Sequence, residues 1–250
     1  MPGPSGAAGA RRDFDLFVSY FGDRPGRYAQ GCDFHEHRRG PKWPCIGALL
    51  REHSALLDAY DCVWFPDDDL AADTATLDRM FAFFHAYGVS VAQPALSRDS
   101  YCTWRTLRQE DGCVLRYTRF VEIMAPMFSR EALRVCAPTF TESDSGWGLD
   151  WLWPQLCEHA GLGRMAVIDA TPVRHTRPCG GELYRRNPQL APRADAERLL
   201  QHYGVQEQRI DSTYGFTGCV RETALPLRLQ LYYSLRRTLR RGRYRVRGRL

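Results

Sequence analysis

The segment Val63-Trp64-Phe65-Pro66-Asp67-Asp68-Asp69-Leu70 runs an apolar stretch straight into three consecutive carboxylates. Charged side chains are almost never buried unpaired, so the apolar stretch must surface where the aspartates begin. Crowded carboxylates repel one another unless a cation neutralises them. Oxygen ligands at the carboxyl end of a strand suit Mg²⁺ or Mn²⁺, ions that commonly hold substrate phosphates. The feature points to an enzyme that handles a nucleotide or a pyrophosphate. The same residues also fit an acidic turn followed by a helix.

Composition narrows the setting. A chain of 250 residues with 44% hydrophobic and 25% charged residues has the make-up of a soluble globular protein. Nine cysteines, an odd number with no CxxC pair, argue against a disulfide framework or a zinc site and for reduced thiols in the cytoplasm. Residues 1–12 are rich in Pro, Gly, Ala and Ser without an apolar stretch, so a disordered lead-in is expected rather than a signal peptide. No run of 18 apolar residues is available to span a membrane. The net charge of +5 is uneven: nine Arg and no acid lie between Arg228 and Leu250, which leaves about −4 (5 minus 9) on the rest.

Hydrophobic patterning predicts a buried first strand over 14–20, a loop over 21–40, and a helix over 41–60 with Pro near its start. A strand over 62–66 then delivers the aspartates. A helix follows, capped by Asp73 or Thr74 and closed by Gly88, and a strand over 89–92 runs into Gln93-Pro94. Further on, strands are expected over 114–117, 120–128 and 166–169, and helices over 129–135, 150–159 and 192–203. Strands alternating with helices define an α/β class with a mostly parallel sheet flanked by helices in residues 13–222. Ligands in such sheets bind beyond the carboxyl ends of the strands. Tyr20, Asp67 to Asp69, and Gln93 all fall at such ends.

Alternate side chains of an extended segment share a face. Asp67 and Asp69 therefore form the expected metal-binding pair, with Asp68 turned toward a nucleotide or the local turn. His175, after the 166–169 strand, is a candidate third ligand, or a surface histidine. Lys42, the only lysine in the chain, is a candidate phosphate contact. In Ser145-Gly146-Trp147-Gly148-Leu149-Asp150-Trp151 the glycines would let backbone approach a ligand. Trp147 and Trp151 offer flat faces for a sugar, and Asp150 is a candidate base for an acceptor hydroxyl. The segment also reads as a helix start with core tryptophans.

Five stretches occur in a familiar order: Phe65-Pro66-Asp67-Asp68-Asp69-Leu70, Val91-Ala92-Gln93-Pro94-Ala95-Leu96, Val121-Glu122-Ile123-Met124-Ala125-Pro126-Met127-Phe128-Ser129, Gly146-Trp147-Gly148-Leu149-Asp150, and Val167-Ile168-Asp169 followed by His175. Over roughly residues 14–180 they resemble the family called domain of unknown function 707, which looks like a GT-A glycosyltransferase. The resemblance implies a Rossmann-like GT-A fold, a nucleotide-sugar donor, Mn²⁺ or Mg²⁺ on Asp67 and Asp69, His175 as a late metal ligand, and Asp150 on the acceptor side. Trp147, Gly148 and Trp151 would meet the acceptor, a saccharide or another hydroxyl. Tyr20 and Asp23 lie where a donor base would bind, with Lys42, Asp68 and Gln93 beside the donor. About fifty residues separate the first strand from the aspartates, fewer than in many GT-A enzymes, so the donor-base pocket is abbreviated or built differently.

The reaction expected is sugar transfer to a hydroxyl, with inversion if Asp150 is the base. Two other classes share these features: a non-catalytic binding protein recruited by its basic tail, and a nucleotidyltransferase releasing pyrophosphate. Residues 223–250 are expected to form a last helix and a basic end that contacts anionic membrane at the cytoplasmic face. Nucleic acid is the less favoured partner.

Overall fold

The computed structural model describes residues 12–180, 187–188, 190–206 and 218–221. The expected lead-in up to residue 11 and the basic tail over 223–250 lie outside the described residues. Strands β1 (Phe17–Tyr20) and β2 (Phe34–His37) pair in parallel as a unit of their own. The expected buried first strand is thus half-exposed and apart from the main sheet, and the expected 21–40 loop contains its partner. Helix α1 (Lys42–Glu52) ends at His53 and a short α2 (Ser54–Leu57) follows, where one helix over 41–60 was expected.

Among the described residues the main sheet holds seven strands: β3 (Cys62–Trp64), β4 (Leu70–Ala71), β5 (Val91–Leu96), β6 (Cys113–Thr118), β7 (Met127–Ser129), β8 (Met165–His175) and β9 (Gly218–Arg221). Their order is β3-β7-β5-β8-β6-β9, with β4 against the end of β8. Strands β3, β5, β8 and β9 run one way and β4, β6 and β7 the other, an α/β mixed sheet in which the four co-directional strands outnumber the rest. Neighbouring strands nevertheless pair mostly antiparallel, because β7 inserts between β3 and β5.

Both faces of the sheet are covered, which explains the unbroken burial of β5. On one face α3 (Thr74–Tyr87) buries Met80, Phe83, Phe84 and Tyr87 against Ala92, Met127, Ala166 and Ile168. On the other face lie α1, α4 (Arg130–Cys136), α5 (Leu149–His159) and α6 (Pro192–Tyr203), against Val91, Phe128, Met165 and Val167. Successive sheet residues alternate between the two cores, as the period of two requires. The helix ends follow local chemistry. Asp73 caps α3 by accepting from Thr76 N–H at 2.6 Å, Gly88 closes it at φ 58°, and Ser129 caps α4 by accepting from Ala132 N–H.

Two departures from regular geometry position the strand ends. Pro94 brings no N–H to the ladder, and the β5–β8 register shifts just past it. Two steps along β5 (Pro94 to Leu96) span five along β8 (Ile168 to Val173). Asp169 lies in this bulge and is fully buried. Its carboxylate takes both arms of Arg116, at 2.9 and 3.0 Å, and the N–H of Glu110 at 2.9 Å. Arg116 also donates to the carbonyls of Thr106 and Arg108. The ion pair thereby holds the bulge while β8 leaves β6 and turns to pair with β4. The 120–128 stretch is not the continuous strand expected. Only Met127–Ser129 is extended, and the residues before it form a loop held by polar side chains.

Removing one partner of a buried pair leaves the other charge uncompensated. Asp169→Ala should therefore lower the unfolding free energy by about 3–5 kcal/mol, as read by urea denaturation. A loss of under about 1 kcal/mol would mean that the pair does not hold the bulge.

Candidate active site

The carboxyl ends of β3, β5 and β8 converge on one edge, and the site is assembled there from four separate stretches. The first is the exit of β3. Phe65 N–H donates to Pro126 O and Asp67 N–H to Met124 O, at 2.9 and 2.8 Å, so the loop before β7 escorts the aspartates out of the sheet. The second is the start of α1. Trp43 is fully buried and packs edge-on against Phe140 and Trp153, with centroids 4.7 and 4.9 Å away. That anchor fixes its neighbour Lys42, whose ammonium donates to Asp67 Oδ1 at 2.6 Å, Ile123 O at 2.9 Å and Met124 O at 3.2 Å. All three donors of the lysine are thus spent inside the protein.

The third stretch is the end of β8. Leu70 is the partner of His175 in the β4–β8 pair, and Thr176 binds Asp69 O through both its N–H and its hydroxyl. The register therefore sets Asp69 beside His175, with Oδ2 3.2 Å from Nε2. The other ring nitrogen, Nδ1, lies 2.9 Å from Tyr101 O. A carbonyl only accepts, so Nδ1 carries a hydrogen; Nε2 then either donates to the carboxylate or, in the neutral ring, turns a lone pair toward it. Two electron-rich atoms so placed call for a proton or a metal ion between them. Asp69 Oδ1 is also sealed from solvent without a hydrogen-bond partner. Imidazole and carboxylate ligands with a carbonyl fixing the ring are the features of a divalent-metal site. Asp69 and His175 are the two residues of this edge that could hold a divalent ion.

The full expected trio does not assemble. Among the described residues, the ligand atoms of Asp67, Asp69 and His175 do not all lie within 4.8 Å of one another, and the group that does is Glu36, Glu52 and His53. Arg38 already bridges the two glutamates of that group, so a guanidinium fills its place for a cation. Asp67 is turned away by Lys42, and exposed Asp68 lies 3.8 Å from Arg177.

The fourth stretch joins the 119–126 loop to α5. Gln93, expected at the donor, is fully buried, and its side-chain oxygen accepts from Glu122 N–H at 2.6 Å. It positions the loop from inside. Glu122 was not singled out from the sequence; the available signal was one acid in an apolar run. Its Oε2 is sealed without a hydrogen-bond partner. Burial, with the charges of Asp150 and Asp67 adding to it and Lys42 opposing, pushes its carboxyl up to about 8. Asp150 sits in the first turn of α5 and is buried.

The remaining expected residues divide. Trp147 is exposed just before α5, whereas Trp151 is buried in the core. Gly148 (φ 92°) serves packing: a Cβ there would come within 3.0 Å of Ala196 in α6. Gly146 (φ 80°) makes room for Trp43 in the same way. Tyr20 and Asp23 stay with the β1–β2 unit. Tyr20 packs with Phe21, Tyr28, His35 and His37, and Asp23 pairs with Arg39.

Fold and site together define an α/β protein with a carboxylate- and histidine-lined edge at the carboxyl ends of co-directional strands. The chain belongs to the family described as protein of unknown function (DUF707), whose model matches residues 41–210. That match takes in Lys42, the three aspartates, Glu122, Asp150 and His175, and leaves out β1 and β2. No curated protein matches the chain.

In the folded chain Glu122 stays neutral up to about pH 8, while unfolded it ionises above the ordinary 4.5. Between those values the folded state binds more protons, so the contribution of Glu122 to stability is lost as pH rises. Glu122→Gln has no proton to lose. Its stability relative to wild type should climb by a few kcal/mol between pH 5 and pH 8, as read by denaturation at both values. A flat difference would show that the carboxyl is not held neutral.

Proposed function

We propose that the protein is a divalent-metal-dependent glycosyltransferase that moves a sugar from a nucleotide-diphosphate sugar to an acceptor hydroxyl. The observation that carries this is the Asp69–His175 pair, with its ring fixed by Tyr101 O and a sealed carboxylate oxygen left without a hydrogen-bond partner. Asp69 and His175 would hold Mn²⁺ or Mg²⁺, which when bound supplies a Lewis acid for the charge of a departing diphosphate. Lys42 keeps Asp67 neutralised and the 119–126 loop in place. Asp150 is the base: its carboxylate takes the acceptor proton as the acceptor oxygen bonds to the sugar carbon. The bond from that carbon to the diphosphate breaks, and its electron pair leaves with the diphosphate. One displacement of this kind inverts the carbon. Trp147 offers an exposed face for the acceptor.

Nine free thiols favour the cytoplasm as the place of reaction. No helix among the described residues is long and apolar enough to cross a membrane. The proposed membrane contact of the 223–250 tail lies outside the described residues.

Incubation with a panel of nucleotide sugars and Mn²⁺ should release nucleoside diphosphate, and a chelator should suppress the release. Asp69→Ala and His175→Ala should each cut it about a hundredfold or more. Release of pyrophosphate from nucleoside triphosphates would point instead to nucleotidyl transfer. Wild-type protein that releases no diphosphate and binds no nucleotide with Mn²⁺ would sink the proposal.

A further inference from the structure

Glu122 is held with unusual care for a loop residue. Its N–H is taken by the buried oxygen of Gln93 and its carbonyl by Ala125 N–H. Lys42 binds the carbonyls of the next two residues, and Asp67 N–H shares the second of them. Five hydrogen bonds thus fix the backbone, yet one oxygen of the carboxyl they present is sealed with no hydrogen-bond partner. A buried polar atom left unpaired costs about 1–3 kcal/mol. Natural structures carry few such atoms, and each needs a reason.

The surroundings select the ligand. Asp150 from α5 and Asp67 from the β3 exit face the carboxyl with negative charge, and Lys42 from α1 is already spent on Asp67 and two carbonyls. An anionic ligand group would be repelled. A hydroxyl both donates and accepts, and so pairs with a carboxyl in either protonation state. Exposed Trp147, two residues before α5, supplies a face that suits a sugar ring.

We infer that Glu122 is a ligand-contacting residue that hydrogen-bonds a sugar hydroxyl beside Asp150 through Oε1, the carboxyl oxygen that is not sealed. This rests on the glycosyltransferase proposal for the same site. The hydroxyl belongs to the acceptor or to the donor's sugar, and the two are separable by experiment. Neutrality of Glu122 near pH 7 agrees with this role, since the carboxyl can then donate as well as accept.

The test is calorimetric titration of the full chain with Mn²⁺ present. One arm adds the methyl glycosides of glucose, galactose and mannose to protein saturated with UDP or GDP. The other compares UDP-glucose and GDP-mannose with UDP and GDP. Glu122→Met should weaken one sugar-bearing ligand about tenfold or more while leaving UDP and GDP unchanged. Glu122→Gln, which keeps a donor and an acceptor, should restore most of that binding. Loss in the glycoside arm assigns the acceptor hydroxyl, and loss in the nucleotide-sugar arm the donor's. The inference is overturned if Glu122→Met binds every ligand within about threefold of wild type, if it does not fold, or if wild type binds none of the sugars. Glycoside binding without donor turnover would remove the transfer reaction and leave the hydroxyl contact standing. Turnover with unchanged sugar affinity in Glu122→Met would do the reverse.

Discussion

One ammonium group ties the edge of the sheet together. Lys42 stands at the first turn of α1 and reaches both Asp67, past β3, and the carbonyls of Ile123 and Met124, before β7. The same ammonium also offsets the charges of Asp150 and Asp67 that bear on the Glu122 carboxyl. The lysine can sit there because Trp43 beside it is locked between Phe140 and Trp153. Gly146 leaves the space that Trp43 needs. Aromatic packing on one face of the sheet thus decides where one positive charge stands, and that charge is spent on Asp67 rather than on Asp69.

The outcome divides the three aspartates by what each already touches. Asp67 is satisfied from within, Asp68 points outward near Arg177, and Asp69 is joined to His175 and keeps one oxygen in reserve. Alternation along an extended segment puts Asp67 and Asp69 on one face, but alternation says nothing about what else occupies that face. The lysine comes from 25 residues earlier and the histidine from 106 residues later. The mixed sheet makes both meetings possible. Inserting β7 between β3 and β5 brings its leading loop back over the strand ends, where a parallel neighbour would have left that edge to a helix.

Much of the architecture was legible because its causes are local. Asp73 and Gly88 bound α3, Ser129 starts α4, and residues 192–203 form α6 where the apolar spacing puts it. The acidic strand end was legible for the same reason, since a charge run after an apolar stretch can only surface. What was missed depends on partners distant in sequence. The 120–128 stretch has strand composition, yet Gln93 and Lys42 bind its backbone and hold residues 119–126 as a loop. Strand β2 is a polar His-Glu-His stretch that exists as a strand through its pairing with β1. Gly148 reads as a ligand-approach residue in isolation and as a helix-packing residue once α6 is seen against it.

The same strand that delivers His175 also carries Asp169, and the contrast between acids is instructive. Asp169 is as deeply buried as any acid among the described residues, and both its oxygens are paired, to Arg116 and to the N–H of Glu110. The fold can therefore satisfy a buried carboxylate completely when position is all that is required of it. Asp69 and Glu122 lie at the strand ends and each keeps a sealed oxygen without a hydrogen-bond partner. Their backbones are held by Thr176 in one case and by Gln93 in the other. Rigid presentation of unsatisfied polar atoms is what a site that binds through those atoms requires, because the ligand then meets groups whose ordering cost was met on folding. Asp69 and Glu122 thus contrast with Asp169, and the proposed site would draw on that difference.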